Sequence, residues 1–284
     1  MEDIAPILLD KIKELFNIGK ENNENIKDLL AKLKNKKAGY IEAGEFADEL
    51  GKILAEAYGE VFTMELLPDG RLYYNIATRT IEPTMKSLQA EIADFSETVQ
   101  EELNKRAKLG ISPIKAELNQ NKIDGIIDRV SNAEKIDDIK WILNEPIKTF
   151  ARSVVDDSIK ANAEFQGASG LTPKIIRKSS GNCCEWCTNI VGSYEYPNVP
   201  QDVYRRHNRC GCTVDYVVGK YRKNVHNNNT GTRRYVKDKY GSYVLSKDAR
   251  IERAKQMAAT EKERKEAARQ KRIETWEKKK NSGV

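Results

Sequence analysis

The chain of 284 residues has only two histidines, His207 and His226, and no cysteine outside the stretch from Cys183 to Cys212. A catalytic metal site beside a structural one would need a second ligand set of His, Asn or Asp, to which two imidazoles contribute little. No run of eighteen apolar residues occurs, which excludes a membrane-spanning helix. The opening Met1-Glu2-Asp3-Ile4 lacks the basic, apolar and small-residue order of a secretory leader, so a reducing compartment is expected and a disulfide framework is not. G-x4-G-K-[ST], a G-x-G-x-x-G after a strand, and G-x-S-x-G are all missing. Nucleotide hydrolysis, dinucleotide binding and serine hydrolase chemistry therefore have no support.

Hydrophobic residues make up 39% of the chain and the mean hydropathy is -0.67. That is enough for a core, with part of the chain expected outside it. The net charge of +6 hides an uneven distribution. From Gly219 to Val284 there are 20 Lys and Arg against 8 Asp and Glu, and before it 29 against 35. An acidic body with a basic tail results. Such a tail suits a polyanion, and it equally describes a well-solvated helix.

Apolar residues in the body recur at steps of three and four, the period of a helix with one buried face. Ile4, Leu8, Ile12, Leu15 and Phe16 mark a first helix, Ile26, Leu29, Leu30 and Leu33 a second, and Phe46, Leu50, Ile53, Leu54 and Ala57 a third. Met85, Leu88, Ile92, Phe95, Val99 and Leu103 predict a fourth from Pro83 to Lys108, ended by Gly110 and Pro113. Residues 66–74, centred on Pro68-Asp69-Gly70, read as a small hairpin or an extended loop. A further helix starts at Asn144-Glu145-Pro146, with proline in its first turn, and buries Ile147, Phe150, Ala151, Val154, Val155 and Ile159 before Gly167 and Gly170 end it. The adjacent Asp156 and Asp157 diverge by about 100 degrees on that helix, and read as a solvated face or a cap partner rather than an acid/base pair.

The pattern then changes. Lys174 to Lys178 and Thr213 to Val218 read as two strands. Between them lie Cys183-Cys184-Glu185-Trp186-Cys187 and His207-Asn208-Arg209-Cys210-Gly211-Cys212. A C-x2-C pair grips one ion from a tight turn, and H-x2-C-x-C some twenty residues later supplies further donors, the pattern of a closed tetrahedral zinc site. Cys184 and Cys187 are the first pair, with Cys183 expected to point away. His207 and Cys210 have the i, i+3 spacing of one face of a helical turn, and Cys212 can replace either, so the fourth ligand stays open. A thioredoxin-like use of Cys184 and Cys187 would want a strand before and a helix after, whereas both flanks read as loop. Asp202 to Arg206 should form a helical turn that delivers His207, and Tyr194 to Pro200 should wrap over the site.

The expected fold is mainly α. A helical body occupies 1–167, a small zinc-stabilised α+β unit 168–218, and a flexible linker with a C-terminal basic single helix 219–284. The unit at 168–218 is too small for a large core, so one structural zinc per chain is expected to supply much of its stability. Asn224 to Thr232 reads as linker, and Ser246 to Lys280 as a strong helix former without a continuous a/d seam. Phosphate-binding candidates in the tail are Arg233, Arg234, Lys237, Arg250, Arg253, Lys255, Lys262, Arg264, Lys265, Arg269, Lys271 and Arg272.

The residues Gly181 to Cys187, Val191 to Pro197 and Tyr204 to Tyr216, in that order, resemble the C-terminal signature of tailed-phage minor head proteins, the Mu F-like head morphogenesis family. The resemblance covers roughly residues 145–218. Gly211 stands where the family often has Arg, and Asn208 where many members have Pro, which changes the loop and not the donors. The resemblance implies a non-enzymatic minor capsid component inside the prohead, in the host cytoplasm during assembly and in the virion afterwards. Its zinc would be structural, its body docked on portal or capsid protein, and its tail on packaged DNA, with no small-molecule substrate. Two rivals remain. A zinc-ribbon regulator of nucleic acid is allowed by Trp186, Arg205, Arg206 and Arg209. A metal-dependent nuclease with His207 as general base would need an open metal position that four protein donors do not leave.

Overall fold

The computed structural model describes residues 3–181, 183–207 and 209–221, together with the backbone of 235–237 and 243–245. Two compact units divide the chain, 1–221 and 222–284. The first is mainly helical and ends in a small antiparallel sheet.

Helix α1 (Ile4–Asn22) is capped by Asp3, whose carboxylate accepts from the Ala5 amide, and it buries Ala5, Leu8, Ile12 and Phe16. Asn23 alone separates it from α2 (Glu24–Lys34), and its side chain accepts from the Ile26 amide at 3.0 Å. One residue thus ends one helix and caps the next. At the start of α3 (Tyr40–Val61) the Gly39 amide donates to the Glu42 carboxylate at 2.8 Å. These three helices match the stripes read from the sequence.

Helix α4 is longer than expected, running from Tyr74 to Arg106 with Pro83 inside it. Proline suits the first turn of a helix, but here Ile76, Ala77, Thr80 and Ile81 extend the buried stripe upstream. That burial holds the helix together across the missing amide. Residues 68–70 form a 3-10 turn rather than a hairpin tip. Helix α5 (Gln120–Ser131) buries Ile123, Ile126, Ile127 and Val130, a helical spacing within a region where no element was expected.

Helix α6 (Glu145–Ala168) lies against α3 and α4. It packs closely on α3 at Gly51, where an added Cβ would sit 2.9 Å from Ala151 Cβ and 3.1 Å from the Lys148 backbone. A buried polar network joins the start of α3 to the C-terminal ends of α4 and α6. Tyr40 donates to Gln100 at 2.9 Å, and Gln100 and Gln166 both donate to Asn104, at 2.8 and 2.9 Å.

The sheet has the order β2-β1-β3, all antiparallel. Strand β1 (Leu171–Lys178) pairs with β3 (Thr213–Tyr221) from Leu171↔Tyr221 to Lys178↔Thr213, and with β2 (Gly192–Glu195) on its other edge. The two expected strands therefore pair, each longer than the sequence indicated. Gly219 lies so close to Thr172 and Pro173 that a Cβ would come within 2.5 Å of the Pro173 nitrogen. Tyr194 and its neighbours do not cover the cysteines. They form β2, and Tyr196 donates its amide to Pro173 and rests its ring on Gly167, at the opposite end of β1.

Ile175, Val203, Tyr204, Val214 and Tyr216 belong to the same buried core as the helices. The division expected at 167/168 is thus not a break in packing: sheet and helices share one core through to β3. In the second unit, β4 (Tyr235–Lys237) and β5 (Tyr243–Leu245) pair antiparallel. The expected linker at 224–232 and basic helix at 246–280 lie outside the described residues.

Gly51 gives a direct test of the α3/α6 contact. Gly51→Val should destabilise the first unit by about 1–3 kcal/mol through overpacking, read as a lower denaturant midpoint at unchanged helical content.

Candidate metal centre

Strand β1 alternates inward and outward residues, so that after Leu171 and Ile175 the inward position at the sheet's cysteine end is Arg177, 1% exposed. The chain leaves the strand at Ser179 and enters the short helix α7 (Glu185–Ile190), with Cys184 as its N-cap. The loop expected before the C-x2-C pair is present between β1 and α7, whereas Cys187 itself lies within α7 and β2 begins at Gly192, where a loop had been expected. Capping by sulfur has a local cause: Cys184 Sγ accepts from the Cys187 amide at 3.5 Å. This places Cys184 and Cys187 one turn apart and facing the same way.

The second donor segment arrives from the 3-10 turn Gln201–Tyr204, the helical turn anticipated for delivering His207. His207 Nε2 lies 3.2 Å from Cys184 Sγ and 3.0 Å from Cys187 Sγ. Cys210 Sγ is 3.6 Å from Cys187 Sγ. Cys212 Sγ faces Cys183 Sγ at 3.2 Å. Cys187, Cys210 and Cys212 are buried, each at most 2% exposed.

Two groups of donors are close enough to hold a metal ion, Cys184 with Cys187 and His207, and Cys183 with Cys187 and Cys212. In a tetrahedral zinc site, metal–sulfur bonds of about 2.3 Å place neighbouring sulfurs about 3.8 Å apart. The spacings here suit such a site. Of the donors read from the sequence, Cys184, Cys187 and His207 fall in one group and Cys187 and Cys212 in the other, while Cys210 stands beside Cys187 and belongs to neither. Cys183 joins the second group, although its adjacency to Cys184 had suggested that it points away.

Burial pushes the Cys187 and Cys212 thiols up from their ordinary value, with neighbouring thiols adding to the effect. For Cys210 burial acts in the same direction, but the Cys212 amide, the Cys187 thiol and the cations Arg206 and Arg177 outweigh it, and its pKa is lowered. Cys183, hydrogen-bonded to Ser179 and Cys212, is lowered to about 7. Metal binding must displace the thiol protons, so affinity should fall with pH.

Three arginines hold this cluster. Arg177 Nη2 points at Cys210 Sγ and Cys187 Sγ, at 3.3 and 3.9 Å, while its Nη1 donates to the carbonyls of Val203 and Arg205. Arg206 makes a two-pronged pair with Asp156 of α6 and donates to the Cys212 carbonyl at 2.6 Å. Arg152, also on α6, is paired with Asp48 and donates to the Cys210 carbonyl at 2.8 Å. Burial works against the charge on Arg206, but Asp156 more than offsets it and raises the pKa. Trp186 lies beside the cluster, its ring edge-on to His207 at 5.7 Å.

None of Arg177, Arg152 and Asp156 was identified from sequence. Arg177 could have been found by counting two residues on from Ile175. Asp156 is fully buried and ion-paired rather than solvated. Arg233, Arg234, Arg250, Arg253, Lys255, Lys262, Arg264, Lys265, Arg269, Lys271 and Arg272 lie outside the described residues, and Lys237 falls in β4.

No family model, curated protein or solved structure matches the chain.

Replacing Cys184 and Cys187 together by Ser should abolish metal retention. Because the sheet shares the helices' core, far-UV circular dichroism should keep most of its helical signal while amide exchange rises between residues 179 and 212. Asp156→Ala should cost about 3–5 kcal/mol, because it strands the buried Arg206 guanidinium, measurable by urea denaturation.

Proposed function

We propose that this chain is a minor head protein of a tailed phage, acting in head morphogenesis, with a structural zinc in the cysteine cluster. The observation that carries this reading is the convergence of C-x2-C and H-x2-C-x-C at the end of a helical body, in the order of the Mu F-like signature. In this reading the protein sits inside the prohead near the portal. Zinc surrounded by thiolates and an imidazole has no open position for water, and so stabilises a fold rather than performing hydrolysis. The helical body contacts portal or capsid protein. The basic tail neutralises phosphates of packaged DNA without reading sequence, a mode whose affinity falls steeply with salt.

One observation favours the second reading, a zinc-containing regulator of nucleic acid. A groove of about 990 Å³ between α5, α6 and the turn before His207 is lined by Lys122, Arg129, Trp141, Lys160 and Arg205, with the Asp157 carboxylate among them. Trp141 is 49% exposed, with the Arg129 guanidinium over its ring at 5.6 Å. Aromatic faces among cations suit single-stranded nucleic acid.

The two readings separate on partner. Co-expressed with the portal and scaffold of its own phage, the chain should enter proheads and sediment with them. Truncation after Tyr221 should leave that incorporation and the metal content intact while removing salt-sensitive retention on DNA. Retention of an oligonucleotide by the truncated chain, without incorporation into proheads, would favour the regulator.

A further inference from the structure

We propose that Cys183 and Cys212 are a modification site, a pair of thiols outside the set that holds the ion, which peroxide joins into a disulfide. The inference rests on the zinc reading for the place of the ion, and goes beyond it in giving these two sulfurs a chemistry of their own. Cys187 is common to both donor groups, which differ in their other members: Cys184 and His207 in one, Cys183 and Cys212 in the other. The first unites both thiols of the C-x2-C pair with an imidazole, a group that binds metal and takes no part in disulfides. The second contains thiols alone. An ion on the first set leaves Cys183 and Cys212 facing each other.

Their sulfurs stand 3.2 Å apart. That is closer than the roughly 3.8 Å between two sulfurs on one zinc, and a movement of about 1 Å would bring them to disulfide length. Cys183 lies between β1 and α7, and Cys212 immediately precedes β3. The movement therefore falls outside the paired strands, whose last partners at this end are Lys178 and Thr213. Ser179 Oγ, 2.8 Å from Cys183 Sγ, holds the sulfur in place beside Cys212.

Access assigns the order of events. Cys183 is partly exposed, whereas Cys212 is 2% exposed, the arrangement of a reachable thiol poised next to a resolving one. Cys184 is more exposed still, but its sulfur is engaged as a metal ligand. The Cys183 sulfur attacks one oxygen of hydrogen peroxide, the O–O bond breaks, and the departing hydroxide takes the thiol proton as water, leaving a sulfenic acid. The Cys212 sulfur then attacks the sulfenic sulfur. The S–S bond forms, the S–O bond breaks, and a second water leaves with the Cys212 proton. The two thiols give up two electrons and the peroxide takes both.

The test uses the full chain loaded with zinc. One equivalent of hydrogen peroxide should remove two hydrogens from the intact mass and two of the five thiols, with zinc content unchanged by elemental analysis and peptide mapping showing Cys183 joined to Cys212. Cys183→Ser should keep its zinc and form no such cross-link. Cys212→Ser should stop at a sulfenic acid on Cys183, trapped by dimedone. Zinc released together with the thiols, a Cys183→Ser chain that no longer holds zinc, a cross-link between Cys184 and Cys187, or five intact thiols would each overturn the proposal. A chain that never binds zinc yet joins Cys183 to Cys212 supports the thiol pair and overturns the zinc reading alone.

Discussion

The buried pair between Asp156 and Arg206 fixes where the cysteine cluster sits. Asp156 lies in the middle of α6 with no exposed surface, and Arg206 immediately precedes the donor His207. Burying two charges is costly unless each is fully matched, and here the carboxylate takes two guanidinium nitrogens while the third donates to the Cys212 carbonyl. A donor loop displaced from α6 would leave both charges stranded in the interior. Geometry at the cluster is therefore set from below, by the helical body, and Arg152 repeats the arrangement one turn earlier through the Cys210 carbonyl.

This changes what a metal would contribute. A separate unit of some fifty residues would depend on an ion for most of its folding free energy. Ile175, Val214 and Tyr216 instead belong to the helices' own core, so β1 and β3 have apolar packing of their own. What a metal would order is the pair of loops at the sheet's end, where buried thiols otherwise face each other with protons retained. An ion bound there would shape a surface on a body that is already folded.

Periodicity exposed much of this fold and left specific gaps. The stripes of α1, α2, α3 and α6, both long strands and the convergence of the two cysteine segments could be read from spacing alone. The start of α4 could not, because Pro83 imitates a helix N-terminus while Ile76 and Ile81 continue the stripe above it. Helix α5 had its signal in Ile123, Ile126, Ile127 and Val130, but an isolated short stripe between turn residues is easily passed over. Charges inside the core were the real obstacle. Arg177 and Asp156 look like surface residues by type, and only the tertiary partner of each explains its burial. Cys183 shows a related limit: the turn before α7 lets adjacent cysteines both face the cluster, which a regular strand would forbid.

The account depends on these sulfurs binding metal. X-ray absorption at the zinc edge of the chain, purified without added metal, tests that most directly. A first shell dominated by sulfur at about 2.3 Å, with a nitrogen contribution near 2.0 Å, is the result predicted. A chain with no zinc edge and five titratable thiols would contradict it, leaving the cysteine cluster as buried thiols held by arginines.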